Sequence, residues 1–415
     1  MLRLTVYIAV MAAMLFCATT SSFAAPENFK IMDLEDEAPD FKLPGVDGKT
    51  YELKDFADAK VLMVVFTCNH CPTSQAYEER LMKMHEKYKD KGVSLVAISS
   101  NDPKALRLDE MGFSEVGDSF DDMKIRAKDR GFKFPYLYDG DKQEVGAAYG
   151  AMATPHVFIF DKDRKLQYTG RIDDADVGMV RSPDAVNAIE ALLAGQEVEI
   201  PMTRIFGCST KWSDKRKMVE ESIKYWNTEP VGVEKIDEEG VKELAANQMR
   251  RLRLVNVWAT WCGPCIQELP ELVAINRMYR RRGLELVTIS LDGPDKEEQV
   301  LKILEDNHVA ATNYMFDGTE AAKDEPEKDE SKKDAAAKGD AEKTEKEEPK
   351  KDKPSEKKPA NWDKLAEALD KEWKGPVPYT ILIAPGGKIL YRKHDVIDPL
   401  ELRKAIVEYL GRTYR

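Results

Sequence analysis

The chain has 415 residues, more than one hydrophobic core usually serves, so two domains are expected. Its composition, 42% hydrophobic and 33% charged, suits soluble globular domains together with some charged sequence that builds no core. A formal net charge of -12 offers no basic surface for phosphates and argues against nucleic acid as a partner.

The chain opens on Met1-Leu2-Arg3, an apolar run from Leu4 to Ala18, and the small residues Ser22, Ala24 and Ala25. This pattern predicts a signal peptide over 1–24, cut near Ala24, followed by an N-terminal segment over 25–37. The alternative is an anchor retained through residues 4–18, although the run is short for a membrane span. Either way the remainder is expected to be exported, periplasmic or otherwise extracytoplasmic, and to face an oxidising compartment.

A first domain is expected over 38–212. Phe41 to Leu53 alternates around Asp47-Gly48 and predicts an opening hairpin. Val61 to Thr67 is a continuous apolar run rich in β-branched residues, expected of a buried strand. Tyr77, Leu81, Met84, His85 and Tyr88 then recur at helical spacing, His85 as a packing residue, before a second buried strand from Val93 to Ile98. Thr154-Pro155 leads into a strand pair, His156 to Phe160 and Leu166 to Ile172, and a helix from Pro183 to Leu193 closes the unit.

The order recurs over 213–415, as an internal repeat of one fold. A short strand is expected at Val231 to Val233, a helix from Glu239 to Ala246, and a buried strand from Leu252 to Trp258. A helix carrying Leu269, Leu272, Ile275 and Met278 follows, and its basic end, Arg277 with Arg280 to Arg282, is expected to be solvated. The strand Leu284 to Ile289, a helix with Val300 and Leu304, the strands Tyr379 to Ile383 and Ile389 to Tyr391, and a helix from Leu400 to Leu410 complete it. Residues 319–360 hold no aromatic or large aliphatic side chain and are expected to form a disordered charged insertion. The predicted class is α/β: two domains, each a central mixed β-sheet flanked by helices.

Beyond the signal segment lie Cys68, Cys71, Cys208, Cys262 and Cys265, two close pairs and one more. A pair two residues apart closes too small a loop to stabilise a fold appreciably, so such pairs indicate redox chemistry or metal. Zinc usually needs a second pair about 15 to 20 residues away, which neither pair has. No metal and no cofactor are therefore expected. Cys262 follows a buried strand and starts a helix, where free backbone N–H groups and the positive dipole end favour a thiolate. Cys265, one turn on, is placed to resolve a mixed disulfide, and Glu268 to shuttle protons.

The segment Val255 to Cys265, VNVWATWCGPC, resembles the active-site segment of thioredoxins. With Glu268, Leu269 and Pro270 it resembles the TlpA/ResA-type thiol-disulfide oxidoreductases. That resemblance implies reduction of disulfides in exported proteins, apocytochromes c included, with Glu268 assisting the cysteines and Pro378 on a cis-proline loop that pairs with substrate backbone. Asn256 stands where cytosolic thioredoxins have a buried acid, so proton handling by that group is absent. The implied partners are exported proteins with disulfides and a membrane or periplasmic thiol-disulfide electron donor.

The first domain, with Phe66-Thr67-Cys68-Asn69-His70-Cys71-Pro72 and Thr154-Pro155 at the cis-proline position, resembles the AhpC/TSA peroxiredoxin-like branch of the thioredoxin superfamily. True peroxiredoxins carry Pro and then Thr or Ser ahead of the peroxidatic cysteine, where this chain has Val64 and Cys68 before Cys71, or Val61 and Val65 before Cys68. Dithiol–disulfide exchange is the expected activity, with Cys68 and Cys262 attacking and Cys71 and Cys265 resolving. A thioredoxin-coupled thiol peroxidase and a noncatalytic docking role for the first domain are the alternatives. His70 either supplies a cationic neighbour to the thiolate or merely begins a helix; Cys208, in GCS-x-KW, either relays a disulfide or packs as a small hydrophobe.

Overall fold

A computed structural model of the chain describes residues 29–318 and 362–414. The expected signal peptide and charged insertion lie outside the described residues. The described residues divide into two compact units, one of residues 29–224 with 411–414 and one of residues 225–318 with 362–410. Each is an α/β unit with the thioredoxin-like arrangement: a central mixed sheet between helices.

In the first unit the strands are β1 (Lys42–Pro44), β2 (Thr50–Glu52), β3 (Val61–Phe66), β4 (Val93–Ser99), β5 (Tyr136–Tyr138), β6 (Ala153–Thr154), β7 (His156–Phe160), β8 (Leu166–Gly170) and β9 (Cys208–Ser209). Its helices are α1 (Pro72–Tyr88), α2 (Phe120–Arg130), α3 (Glu144–Tyr149) and α4 (Asp184–Leu193), and α5 (Arg216–Trp226) begins in it and ends in the second unit, which starts at Tyr225. The main sheet runs β5-β4-β3-β7-β8, parallel from β5 to β3 and antiparallel from β3 to β8. The first two strands form the hairpin around Gly48, whose φ of 83 suits glycine.

β3 reads VLMVVF without a polar residue because both faces of the sheet are covered. Side chains alternate across a strand. Val61, Met63 and Val65 therefore pack with Tyr77 and Leu81 of α1 and Ala185 and Ile189 of α4, whereas Leu62, Val64 and Phe66 pack with Phe41, Phe56, Tyr149 and Phe158. Each such aliphatic side chain contributes about 1.5–3 kcal/mol by burial. A Val64→Asp change would place a carboxylate at 0% exposure among aromatic rings and break the unit.

The second unit has strands β10 (Glu234–Ile236), β11 (Leu252–Trp258), β12 (Leu284–Ser290), β13 (Thr312–Phe316), β14 (Tyr379–Ile383) and β15 (Ile389–Lys393). Its helices are α6 (Glu238–Ala246), α7 (Gly263–Tyr279), α8 (Glu297–Asp306), α9 (Trp362–Leu369) and α10 (Pro399–Leu410). The sheet order is β10-β13-β12-β11-β14-β15, parallel from β10 to β11 and antiparallel beyond it. In both units a fully buried central strand delivers its cysteine pair to the start of the longest helix.

Two expectations are corrected. The strand expected at Val231 to Val233 lies instead at Glu234–Ile236, because Ile236 is the buried residue of this stretch and it pairs with Phe316. Arg277 is not solvated: it is buried, stacked over the Trp226 ring at 5.7 Å and donating to Asn227 Oδ1 at 2.8 Å. Arg280 pairs with Glu229 at 2.8 Å. The basic cluster closes the helix end against Trp226 through cation–π and ionic contacts.

Candidate functional site: two cysteine pairs

In the second unit Cys262 is the N-cap of α7, and its Sγ accepts the Cys265 N–H at 3.2 Å. The two cysteines are joined in a disulfide. Pro264 occupies the first turn, where its missing N–H costs nothing. Trp261 beside them is 58% exposed, while Cys262 and Cys265 are themselves buried. Val377–Pro378 is a cis peptide.

Glu268, one turn after Cys265 on α7, is buried at 4% exposure. Its Oε1 accepts Asn256 Nδ2 at 2.8 Å and its Oε2 accepts the Ile397 N–H at 3.0 Å. Burial raises its pKa above the usual carboxylate value, against the pull of those two donors, so it holds a proton more readily than a surface glutamate. Asn256 was expected to leave proton handling to others; it is the group that orients Glu268, and it also donates to Thr380 Oγ1 at 3.0 Å.

In the first unit Cys71 is the N-cap of α1, with Pro72 in the first turn. Cys68 and Cys71 are free thiols, 3% and 0% exposed. Cys68 Sγ lies 3.1 Å from Thr154 Oγ1, and the Cys71 thiol donates to the Thr154 carbonyl at 3.2 Å. Thr154–Pro155 is a cis peptide. Cys208 is a half-buried free thiol on β9, which pairs antiparallel with β6 so that Thr154 stands opposite Cys208.

His70 is fully buried beside Asp118, its Nδ1 2.6 Å from Asp118 Oδ2. Asp118 Oδ1 also accepts the backbone N–H groups of Asn69 and His70, at 2.9 and 3.1 Å, and Oδ2 accepts Asn101 Nδ2 at 2.8 Å. Burial opposes charge on His70, but Asp118 outweighs it and the histidine pKa lies above its usual value. His70 is therefore more than a helix-start residue, and the sequence carried no sign of Asp118, whose role depends on folding alone.

The surroundings of the two thiols of the first pair differ. Burial, the Cys71 hydrogen bond and the Asp118 charge push the Cys68 thiol well up. Burial acts against a Cys71 thiolate too, but hydrogen bonding from Cys208 and Cys68, the His70 charge and the Ser74 N–H outweigh it, and its pKa falls well below the ordinary value. Of the two, Cys71 is the thiol whose surroundings favour a thiolate, and in its neutral form it donates a hydrogen bond to the Thr154 carbonyl.

Cys68, His70 and Asp118 bring one donor atom each within 4.8 Å of one another. Each Asp118 oxygen already accepts two hydrogen bonds, so a metal ion at this cluster would have to displace some of them. The cavity next to Cys68 measures about 10 Å³, scarcely room for one water. His85, as expected, packs on an aromatic ring, with Phe134 at 6.0 Å.

The AhpC/TSA family model matches residues 34–169 and 233–325, more than half of the chain. The chain belongs to the AhpC/TSA family. It is similar to the thiol-disulfide oxidoreductase ResA of Bacillus thuringiensis subsp. konkukian (strain 97-27), 28% identical over 137 residues, covering 32% of this chain and 68% of that protein. Among solved structures, a conserved protein from Geobacillus kaustophilus is 37% identical, with a TM-score of 0.40, covering 44% of this chain and 94% of that one. A thiol:disulfide interchange protein of the thioredoxin family from Chlorobium tepidum TLS is 17% identical, with a TM-score of 0.30, covering 39% of this chain and 99% of that one. By its family and its ResA relative, this AhpC/TSA protein is an oxidoreductase of the thioredoxin superfamily with ResA-like features. Among the described residues no helix is long and apolar enough to cross a membrane.

Proposed function

We propose that this chain exchanges dithiols and disulfides with exported proteins, Cys262 and Cys265 forming the principal site. The observation that carries the reading is Cys262 at the N-cap of α7, its sulfur on the Cys265 N–H and joined to Cys265 itself. In the reduced site the Cys262 thiolate attacks one sulfur of a partner disulfide, forming a mixed disulfide and releasing one partner thiolate, which takes up a proton. Cys265 then attacks Cys262, closing the Cys262–Cys265 disulfide and releasing the second partner thiol. The partner gains two electrons; a donor dithiol returns them to the site.

Glu268 accepts the proton of Cys265 as that thiol becomes a nucleophile, a role that its raised pKa favours over that of a surface carboxylate. The TlpA/ResA resemblance extends the reading to envelope substrates, cytochrome c precursors among them, and to an extracytoplasmic location. Exchange is preferred to peroxide reduction because Val64 and Cys68 before Cys71, or Val61 and Val65 before Cys68, stand where true peroxiredoxins carry Pro and then Thr or Ser. Replacing Cys265 by Ala tests the proposal: mixed disulfides should accumulate through Cys262. Capture no greater than that of a variant lacking both cysteines would refute it.

A further inference from the structure

The backbone edge at Thr154 is filled by the chain itself. β9 lies antiparallel to β6, with Ala153 opposite Ser209 and Thr154 opposite Cys208. Thr154 Oγ1 donates to the Cys208 carbonyl at 3.5 Å. The approach is closest at Gly207, where an added Cβ would stand 2.1 Å from the Thr154 carbonyl oxygen and where φ is +145, so a side chain is excluded twice over.

The segment is pinned on both sides. Upstream, Thr203 N–H donates to the Thr169 carbonyl at 3.1 Å. Downstream, Thr210 Oγ1 donates to the Ala151 carbonyl at 2.7 Å, and Lys211 N–H to Asn101 Oδ1 at 2.8 Å. Cys208 is thus held where Cys71 also reaches Thr154, whose carbonyl accepts the Cys71 thiol at 3.2 Å. Of the three thiols, Cys208 alone is half-buried; Cys68 and Cys71 are 3% and 0% exposed.

We propose that Cys208 is the redox partner of Cys71 and the thiol through which the first unit meets external thiols and disulfides, Cys68 acting behind it. The proposal rests on the exchange reading above and adds a third cysteine to it. Starting from a Cys68–Cys71 disulfide, Cys208 attacks the Cys71 sulfur. The Cys68–Cys71 bond breaks, Cys71–Cys208 forms, and Cys68 leaves to take the proton that Cys208 gave up; no net oxidation occurs. A thiolate of an external dithiol then attacks the accessible Cys208 sulfur, forming a mixed disulfide and expelling Cys71. The external molecule's second thiol attacks its own sulfur in that mixed disulfide, leaves oxidised, and Cys208 is reprotonated. Two electrons enter the first unit as one dithiol becomes a disulfide. In that step the Cys68 thiol, the His70 charge and the Ser74 N–H still favour a departing Cys71 thiolate.

The test uses the full chain with Cys262→Ser and Cys265→Ser, leaving the first unit as the redox-active site. In this background Cys68→Ser, oxidised with glutathione disulfide, should yield a Cys71–Cys208 link by peptide mass spectrometry. In the same background Cys208→Ser should slow closure of the Cys68–Cys71 disulfide at least about tenfold, as expected when the accessible thiol is lost. Iodoacetamide should label Cys208 ahead of Cys68 and Cys71 in the otherwise unaltered first unit, a measurement that needs no folding of a first-unit variant. A Cys71–glutathione adduct without the Cys208 link, unchanged closure in Cys208→Ser, or earlier labelling of Cys68 would overturn the proposal. Failure of the exchange reading is separate: it is the absence of Cys262-dependent capture in the chain with Cys262 intact.

Discussion

Asp118 holds His70 twice, one carboxylate oxygen on the backbone N–H at 3.1 Å and the other on the ring Nδ1 at 2.6 Å. Both residues are buried, and the His70 charge adds to the Cys208 and Cys68 hydrogen bonds that favour a Cys71 thiolate.

Asp118→Asn keeps the shape and removes the charge. Burial then dominates His70 and lowers its pKa, and the Cys71 thiolate loses its cationic neighbour. Ultraviolet thiolate absorbance, in the chain with Cys262 and Cys265 changed to Ser, should titrate at higher pH. Stability should fall as well, by about 3–5 kcal/mol for a broken buried pair. The window follows from the signs: Asp118 is lowered, so its contribution is present above about pH 4 and lost as pH falls through its folded value; His70 is raised, so its contribution is full below about pH 6.5 and fades as pH rises through its folded value. An unchanged thiol titration would show that the charge does not reach Cys71.

Glu268→Gln removes the proton acceptor on α7 while leaving the side chain's size. Turnover of a model disulfide should drop about 10²-fold or more, and the limb of the pH profile assigned to Glu268 should vanish. A profile of unchanged shape would reduce Glu268 to a helix-packing residue.

His156 sits in β7 with its Nε2 on Thr169 Oγ1 at 3.1 Å, and burial pushes its pKa down to about 3. The unfolded chain takes up a proton near pH 6.5 that the folded chain refuses, so stability is lost as pH falls from about 6.5 toward about 3, by up to about 1.4 kcal/mol per pH unit. His156→Phe should flatten that slope by about one proton in denaturant unfolding at a series of pH values. Equal slopes in the two proteins would mean that His156 titrates normally.

Arg277→Ala strips the guanidinium from Trp226 and from Asn227 Oδ1. Calorimetry should show the second unit melting earlier, by about 1–3 kcal/mol from the lost cation–π contact and hydrogen bond. Lysine should restore only part of this, because its point charge lacks the planar stack. An unaltered melting temperature would return Arg277 to the solvated role expected of it.

The strands and the pairs were legible because their signals are local: a continuous apolar run in β3 and β11, then a cysteine at each helix start. Helix α2 was missed, since only Met123, Arg126 and Ala127 of its eleven residues are buried and the apolar stripe is thin. β5 and β13 were missed because short strands at the parallel side of a sheet read like any apolar stretch. Asp118 and the β6–β9 ladder were illegible for a different reason. Both join residues far apart in the chain, His70 with Asp118 and Thr154 with Cys208, and no spacing rule encodes such pairings.

The ladder at Thr154 also decides which outside molecules can compete for that edge. A tethered segment acts at an effective concentration that reaches millimolar even through a short flexible linker, and this one is fastened on both sides by Thr203, Thr210 and Lys211. A free peptide meeting the same two backbone positions would have to exceed that concentration before it displaced Cys208. Peptide libraries screened against the first unit should therefore return few ligands for this edge, whereas small thiols, which need only one sulfur and no backbone, escape the competition.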